Sequence, residues 1–214
     1  AKTANDFVIY THSQNWTCAF HSVAVSLRLG AEILHQTEDY PHYQALVEAI
    51  NSTNDRFEAL RKENIPTGIR FALDFKDDEL FHVFSSGSMY GVGYGEAYCH
   101  LAEMQHRNAI PINSAEYFHG VFETTVPNQA SILFMNLGRY RPIDERIRRF
   151  LEQFCSHLLV IDAADLGLED VNKAVVEYIA PLLIGPLFRS YVDRMAEERD
   201  HPMEKRRYMW KFDY

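Results

Sequence analysis

Residues 80–113 read LFHVFSSGSMYGVGYGEAYCHLAEMQHRNAIPIN, and this stretch decides the fold. Leu80 to Phe84 is a short apolar, β-prone run, and Ser85-Ser86-Gly87-Ser88 is the turn after it. Tyr94, Ala97, Tyr98 and Leu101 recur at helical spacing, predicting a helix that reaches about Gln105. Ala109 to Ile112 is a second strand. A strand, a helix and a strand in succession form the unit from which parallel sheets are built.

Downstream the alternation continues. Asn113 or Ser114 is expected to cap a short helix; Ile132 to Leu137 reads as a third strand, followed by a charged helix from Ile143 to Phe154. Leu158-Leu159-Val160-Ile161 reads as a fourth strand. A long helix from about Val171 to Arg199 closes the series, with a kink or break expected at Pro181 and Pro186. The pattern predicts an α/β three-layer sandwich, an open and mainly parallel sheet covered on both faces. Ligands in such sheets bind beyond the carboxyl ends of the strands where the strand order reverses, which points to the loops after Phe84 and Ile112.

Upstream, Phe7-Val8-Ile9-Tyr10 is β-prone and Thr11-His12-Ser13-Gln14-Asn15 reads as a loop. Phe20, Val23, Ala24, Leu27, Ala31 and Leu34 place one apolar face on a helix that Asp39-Tyr40-Pro41 ends. Tyr43 to Lys62 is amphipathic with mixed charge and reads as a connecting helix on a surface.

Composition narrows the function. The chain has 214 residues, 47% hydrophobic and 24% charged, the balance of a globular protein rather than a disordered or fibrous one. No apolar stretch approaches the roughly 20 residues that span a bilayer; Tyr178 to Phe188 is the nearest and contains two prolines. Thirty acids against 21 bases give a net charge of −9, which argues against nucleic-acid binding by general attraction. Only Glu204 to Lys211 is locally basic and aromatic. Cys18, Cys99 and Cys155 are odd in number and far apart, supporting neither a disulfide framework nor a structural zinc site. Nothing resembles a secretory signal, so the expected compartment is the cytoplasm.

Chemistry-bearing residues gather around the quoted stretch. Gly87, Gly91, Gly93 and Gly95 follow a strand, but not with the GxGxxG spacing of a nicotinamide or flavin site. Ser85, Ser86 and Ser88 could offer hydroxyls to a sugar or phosphate, or could simply let the helix start lie close to the sheet. On an α-helical period Glu96, His100 and Glu103 share one stripe opposite Tyr94. That stripe is either a solvated face or the wall of a cleft in which Glu103 acts as a general base. In Ser114-Ala115-Glu116-Tyr117-Phe118-His119-Gly120 a histidine sits beside a glycine after a strand, 16 residues beyond Glu103. A lone histidine can equally be a packed one.

Residues 102–123, AEMQHRNAIPINSAEYFHGVFE, resemble the second half of the sugar isomerase (SIS) family, whose fold is flavodoxin-like. The family pattern is a Glu at the end of a helix, a strand, then an E-x-x-H-G segment whose His follows the Glu by 16 residues. Glu103, Glu116 and His119 match it. The tail His201 to Tyr214, HPMEKRRYMWKFDY, resembles that of the fructosamine- and glucoselysine-6-phosphate deglycase branch. Val121 stands where the family usually has Pro, and His100 stands where the synthases of the family carry Lys.

The resemblance implies a reaction and an organisation. His119 would assist sugar ring opening, Glu103 would move a proton between C1 and C2, and neither a metal nor a redox cofactor would be needed. Ser85, Ser86, Ser88, His100, Glu116 and Lys211 become candidate substrate contacts. The implied substrate is a phosphorylated sugar–amino acid conjugate, and the implied assembly a homodimer that can share the His119 loop across subunits. No nucleic-acid or membrane partner is expected. A complete family member carries two α/β subdomains. Residues 1–36 are then expected to be the last strand and helix of the first, 37–76 a helical connector, 77–200 the second subdomain and 201–214 a tail. Such a chain, lacking the phosphate loop of the first subdomain, is expected to be nearly inactive by itself. An aldose–ketose isomerase, a non-catalytic sugar-phosphate sensor and a bare dimerisation module are the competing readings.

Overall fold

A computed structural model describes residues 21–213. The Phe7–Tyr10 run and Phe20 lie outside the described residues. Helices α1 (Ser22–Glu38), α2 (Tyr43–Glu63) and α3 (Ile65–Phe75) lead into strand β1 (Leu80–Ser85). Helix α4 (Tyr90–Gly95) continues without a break as a π-helix over Glu96–Met104, and β2 (Asn108–Asn113) follows. Then come β3 (Ala130–Met135), α5 (Arg141–Phe154), β4 (Leu158–Asp162) and α6 (Val176–Glu198). The four strands are all parallel, in the order β2-β1-β3-β4.

Period-two alternation sends the strand side chains to two different cores. Phe81, Val83, Ile132 and Phe134 join the larger core under α3, α4 and α6. Phe84, Leu133 and Met135 meet Ile147 and Leu151 of α5, together with Tyr117. This is the expected three-layer sandwich. Both sides of β1 and β3 are buried, which is why they read as near-continuous apolar runs. β2 lies at an edge, where Pro111 costs no ladder bond and Ile110 is exposed.

Several sequence expectations need correction. The segment expected to be a surface connector, α2, buries Leu46, Ala49, Ile50, Phe57 and Leu60. The long helix starts at Val176 rather than Val171, because Asn172 turns the chain by accepting from the Ala174 N–H through Oδ1. It is continuous through Pro181 and Pro186. Its burial on nearly every side offsets the roughly 3 kcal/mol that an interior proline costs. Asn113 caps no helix: its Oδ1 accepts from the Ala115 N–H in a tight turn, and the Tyr117–His119 turn has no side-chain cap.

The switch in strand order falls between β1 and β3, so the loops flanking it follow Ser85 and Met135, not Phe84 and Ile112 as a pair. Tyr140 fills that crevice. A Cβ on Gly87, whose φ is +53°, would sit 2.2 Å from the Tyr140 ring. Gly87→Ala is therefore expected to cost about 2–4 kcal/mol, left-handed strain plus overpacking. In a double-mutant cycle with Tyr140→Ala read by urea unfolding, only the overpacking part should be recovered. Simple additivity would show that the ring does not press on this position.

Candidate functional site

The wider turn of the π-helix, with hydrogen bonds reaching i+5, rearranges the stripe expected from an α-helix. Ala97 and Leu101 are fully buried, whereas Tyr94 and Tyr98, expected on the packed face, are half exposed. Glu96 is buried instead. Its Oε2 lies 2.5 Å from Nδ1 of His100, so the carboxylate orients the ring. Burial pushes the Glu96 carboxyl up, and His100 and then Arg189 oppose that shift. The solvated-face reading therefore fails for Glu96, because the turn carries it inward.

Glu103 lies in the last turn of the π-helix, and its partner is not visible in the sequence. Arg206 Nη2 reaches Glu103 Oε1 at 2.8 Å. The guanidinium is itself held, since Nη1 donates to the carbonyls of Met203 and Lys205 at 2.7 and 3.1 Å and Trp210 lies 5.5 Å away. Lys211, the tail residue singled out from sequence, donates through Nζ to the Arg206 carbonyl at 2.6 Å. It braces the tail rather than touching Glu103. The available signal was the run 205–207, three consecutive basic residues in an acidic chain.

His119 is exposed on a loop with an aromatic anchor. Tyr117 is buried against Phe84, with ring centroids 5.1 Å apart, and its hydroxyl meets Thr125 Oγ1. Phe118 stacks under the Arg146 guanidinium at 4.0 Å, tying the loop to α5. Gly120 follows with φ +147°, a conformation that favours glycine. Glu116 is exposed beside it.

Glu103 precedes β2 and His119 follows it. About 17 Å of strand separates the two ends. Within one chain they flank opposite ends of this edge strand.

The serines lie at the switch point. Ser85 is buried under Gly93, whose Cβ would meet its Oγ. Ser86 donates to Asp144 Oδ2 at 2.9 Å, and burial pushes that carboxyl up. Ser88 donates to the Glu177 carbonyl at 2.7 Å and accepts from Asn136 Nδ2 at 2.8 Å. Ser86 and Ser88 thus spend hydroxyl bonds inside the protein, tying β1 to α5 and α6. Two hollows, of about 170 and 660 Å³, lie at the α2–α3 junction against α6 and at Trp210–Asp213; neither is lined by Glu103 or His119. Among the described residues no His, Cys, Asp and Glu cluster could hold a metal, and no helix is long and apolar enough to cross a membrane.

Comparison with known proteins gives this arrangement a setting. No family model matches. The sequence is 33% identical over 181 residues to fructosamine deglycase FrlB of Bacillus subtilis strain 168, covering 85% of this chain and 55% of that protein. A Bacillus subtilis structure described as a candidate phosphosugar isomerase superposes with a TM-score of 0.92 at 30% identity, covering 96% of this chain and 62% of that one. A Salmonella typhimurium LT2 structure of the same description gives 0.91 at 38%, covering 96% and 64%. The chain belongs to the sugar isomerase (SIS) family. It spans between 55% and 64% of the length of these SIS relatives.

In this SIS chain the tail that carries Arg206 also places two histidines together. His106 and His201 meet edge to face at 4.6 Å. Burial first holds both below the ordinary histidine range, followed at His106 by neighbouring Arg and Lys charges and at His201, which sits at about 4, by His106 and then those charges. A depressed histidine stays neutral in the folded state while the unfolded chain takes up a proton below about 6.5. Folded stability is therefore lost as pH falls from about 6.5 toward 4. His201→Asn should gain on the wild type across that window, by urea unfolding at several pH values. A pH-independent difference would place His201 at its ordinary value.

Proposed function

We propose that Glu103 and His119 serve a deglycase reaction on a 6-phosphorylated ketosamine, the Amadori product of a sugar phosphate and an amino acid. The observation that carries this is the carboxylate at Glu103, set in the last turn of a π-helix and held by Arg206. It occurs in a chain 33% identical to a fructosamine deglycase. A π-helical turn is a costly local geometry that is commonly associated with functional sites.

His119 transfers a proton at the ring oxygen and opens the sugar. Glu103 takes a proton from C1, forming an enaminol, and returns it at C2 to give an imine between C1 and nitrogen. Water adds to the imine carbon and the C–N bond breaks, releasing hexose 6-phosphate and the free amino acid. A carboxylate held close to the carbon acid suits this transfer. Because Glu103 and His119 flank opposite ends of β2, the pair that acts on one substrate would come from two subunits of a homodimer. The phosphate grip would come from the first α/β subdomain of the SIS architecture.

The test is hexose 6-phosphate release from 6-phosphofructosyl-lysine and 6-phosphofructosyl-aspartate by the full-length chain. Glu103→Gln should reduce kcat by about 10²–10⁴, the usual worth of a general base. Mixing Glu103→Gln with His119→Asn subunits should restore part of the activity, since one mixed site regains both groups. Release unaffected by Glu103→Gln would overturn the assignment. Conversion of an aldose phosphate to a ketose phosphate without amine release would favour the isomerase reading instead.

A further inference from the structure

The C-terminal tail brings a concentration of positive charge to an otherwise acidic protein. Lys205 and Arg207 are exposed on either side of Arg206, which holds Glu103. Their charges act on His106, which stands three residues beyond Glu103 with φ +52°. Arg107 and Arg199 act on the same patch from below, where they are spent on structural bonds. Arg107 Nη2 donates to the Lys76 carbonyl, and Arg199 Nη1 donates to both oxygens of Gln105. Nε2 of His201 is buried without a hydrogen-bond partner. Of the nearby acids, Glu103 is engaged with Arg206 and Glu198 with Lys76, while Glu204 is exposed beside Lys205. Like charges crowded in this way cost free energy, which a bound anion would relieve.

We propose that His106, Lys205 and Arg207 form an anion site for the carboxylate of the substrate's amino-acid portion. This inference rests on the deglycase reading of Glu103, and the connectivity of the substrate selects the anion. Glu103 acts at C1 and C2, the amine nitrogen is bonded to C1, and the α-carboxylate carbon lies only two bonds beyond that nitrogen. The phosphate, on C6, is at the far end of the sugar. An anion site beginning one ion pair away from Glu103 therefore matches the carboxylate and not the phosphate. Arg206 keeps Glu103 aligned, while its neighbours on both sides are free to face the amino acid.

Deleting the carboxylate alone tests the site. The full-length chain is assayed on 6-phosphofructosyl-glycine and on 6-phosphofructosyl-methylamine, which differ by that group only. The glycine conjugate should have a KM lower by about ten- to a hundredfold, the worth of a hydrogen-bonded charge contact. Lys205→Gln combined with Arg207→Gln should raise the KM of the glycine conjugate toward that of the methylamine conjugate and leave the latter unchanged. Lys205→Arg with Arg207→Lys should retain most of the preference. If the two conjugates are turned over alike, or the double variant impairs both equally, the carboxylate site is wrong while the deglycase reading stands. If neither conjugate releases hexose 6-phosphate, both fall together.

Discussion

Burial of α6 is the constraint on which the rest of the structure depends. Its residues from Val176 to Ala196 are apolar on almost every side, so no single partner can cover it. Phe188 packs on Phe134 of β3 and on Phe71 of α3, with ring centroids 5.2 and 5.3 Å apart. Sheet, α2 and α3 must therefore close around it, and the supposed connector becomes part of the core. Removing one large side chain from such a centre typically costs about 2–5 kcal/mol. The same helix supplies Glu177 at one end, which ties to Ser88 and Arg139, and Arg199 just past the other, which ties to Gln105. The loops at both ends of the strands are thus anchored to one rod.

From that anchoring follows the position of Glu103. The chain after α6 turns back at Pro202 and lays Arg206 on Glu103, at the edge where β2 begins. Its own carbonyls fix the guanidinium, so the contact orients the carboxylate rather than the reverse. At the other end of β2 an aromatic cluster of Tyr117, Phe118, Phe122 and Phe150 holds the loop that carries His119. Each half of the proposed site is held in a different way, one through charge and the other through packed rings.

Elements with a strong period were legible. β1, β3, β4 and α5 lie within a few residues of their expected places, because both-face burial and amphipathic spacing leave plain marks. The exchange of Tyr94 for Glu96 on the buried side was not legible, since it depends on a π-helical pitch that no residue pattern announces. The serine loop was legible as a loop. Its hydroxyls face Asp144 and Glu177, which are 58 and 89 residues away in sequence, and spacing cannot disclose such partners.

By itself the sequence determined the alternating α/β class, the identity of Glu103 and His119 and their spacing of 16 positions, and the basic character of the tail. These are properties of residue type and order, carried by local periodicity and by chemistry. Only the tertiary structure decided that Arg206 rather than Lys211 meets Glu103, that Glu96 goes inside to hold His100, and that Glu103 and His119 flank opposite ends of one strand. Those outcomes depend on where α6 and the tail return to the sheet. That return is fixed by burying apolar surface between segments distant in sequence, a global minimum that no local pattern encodes.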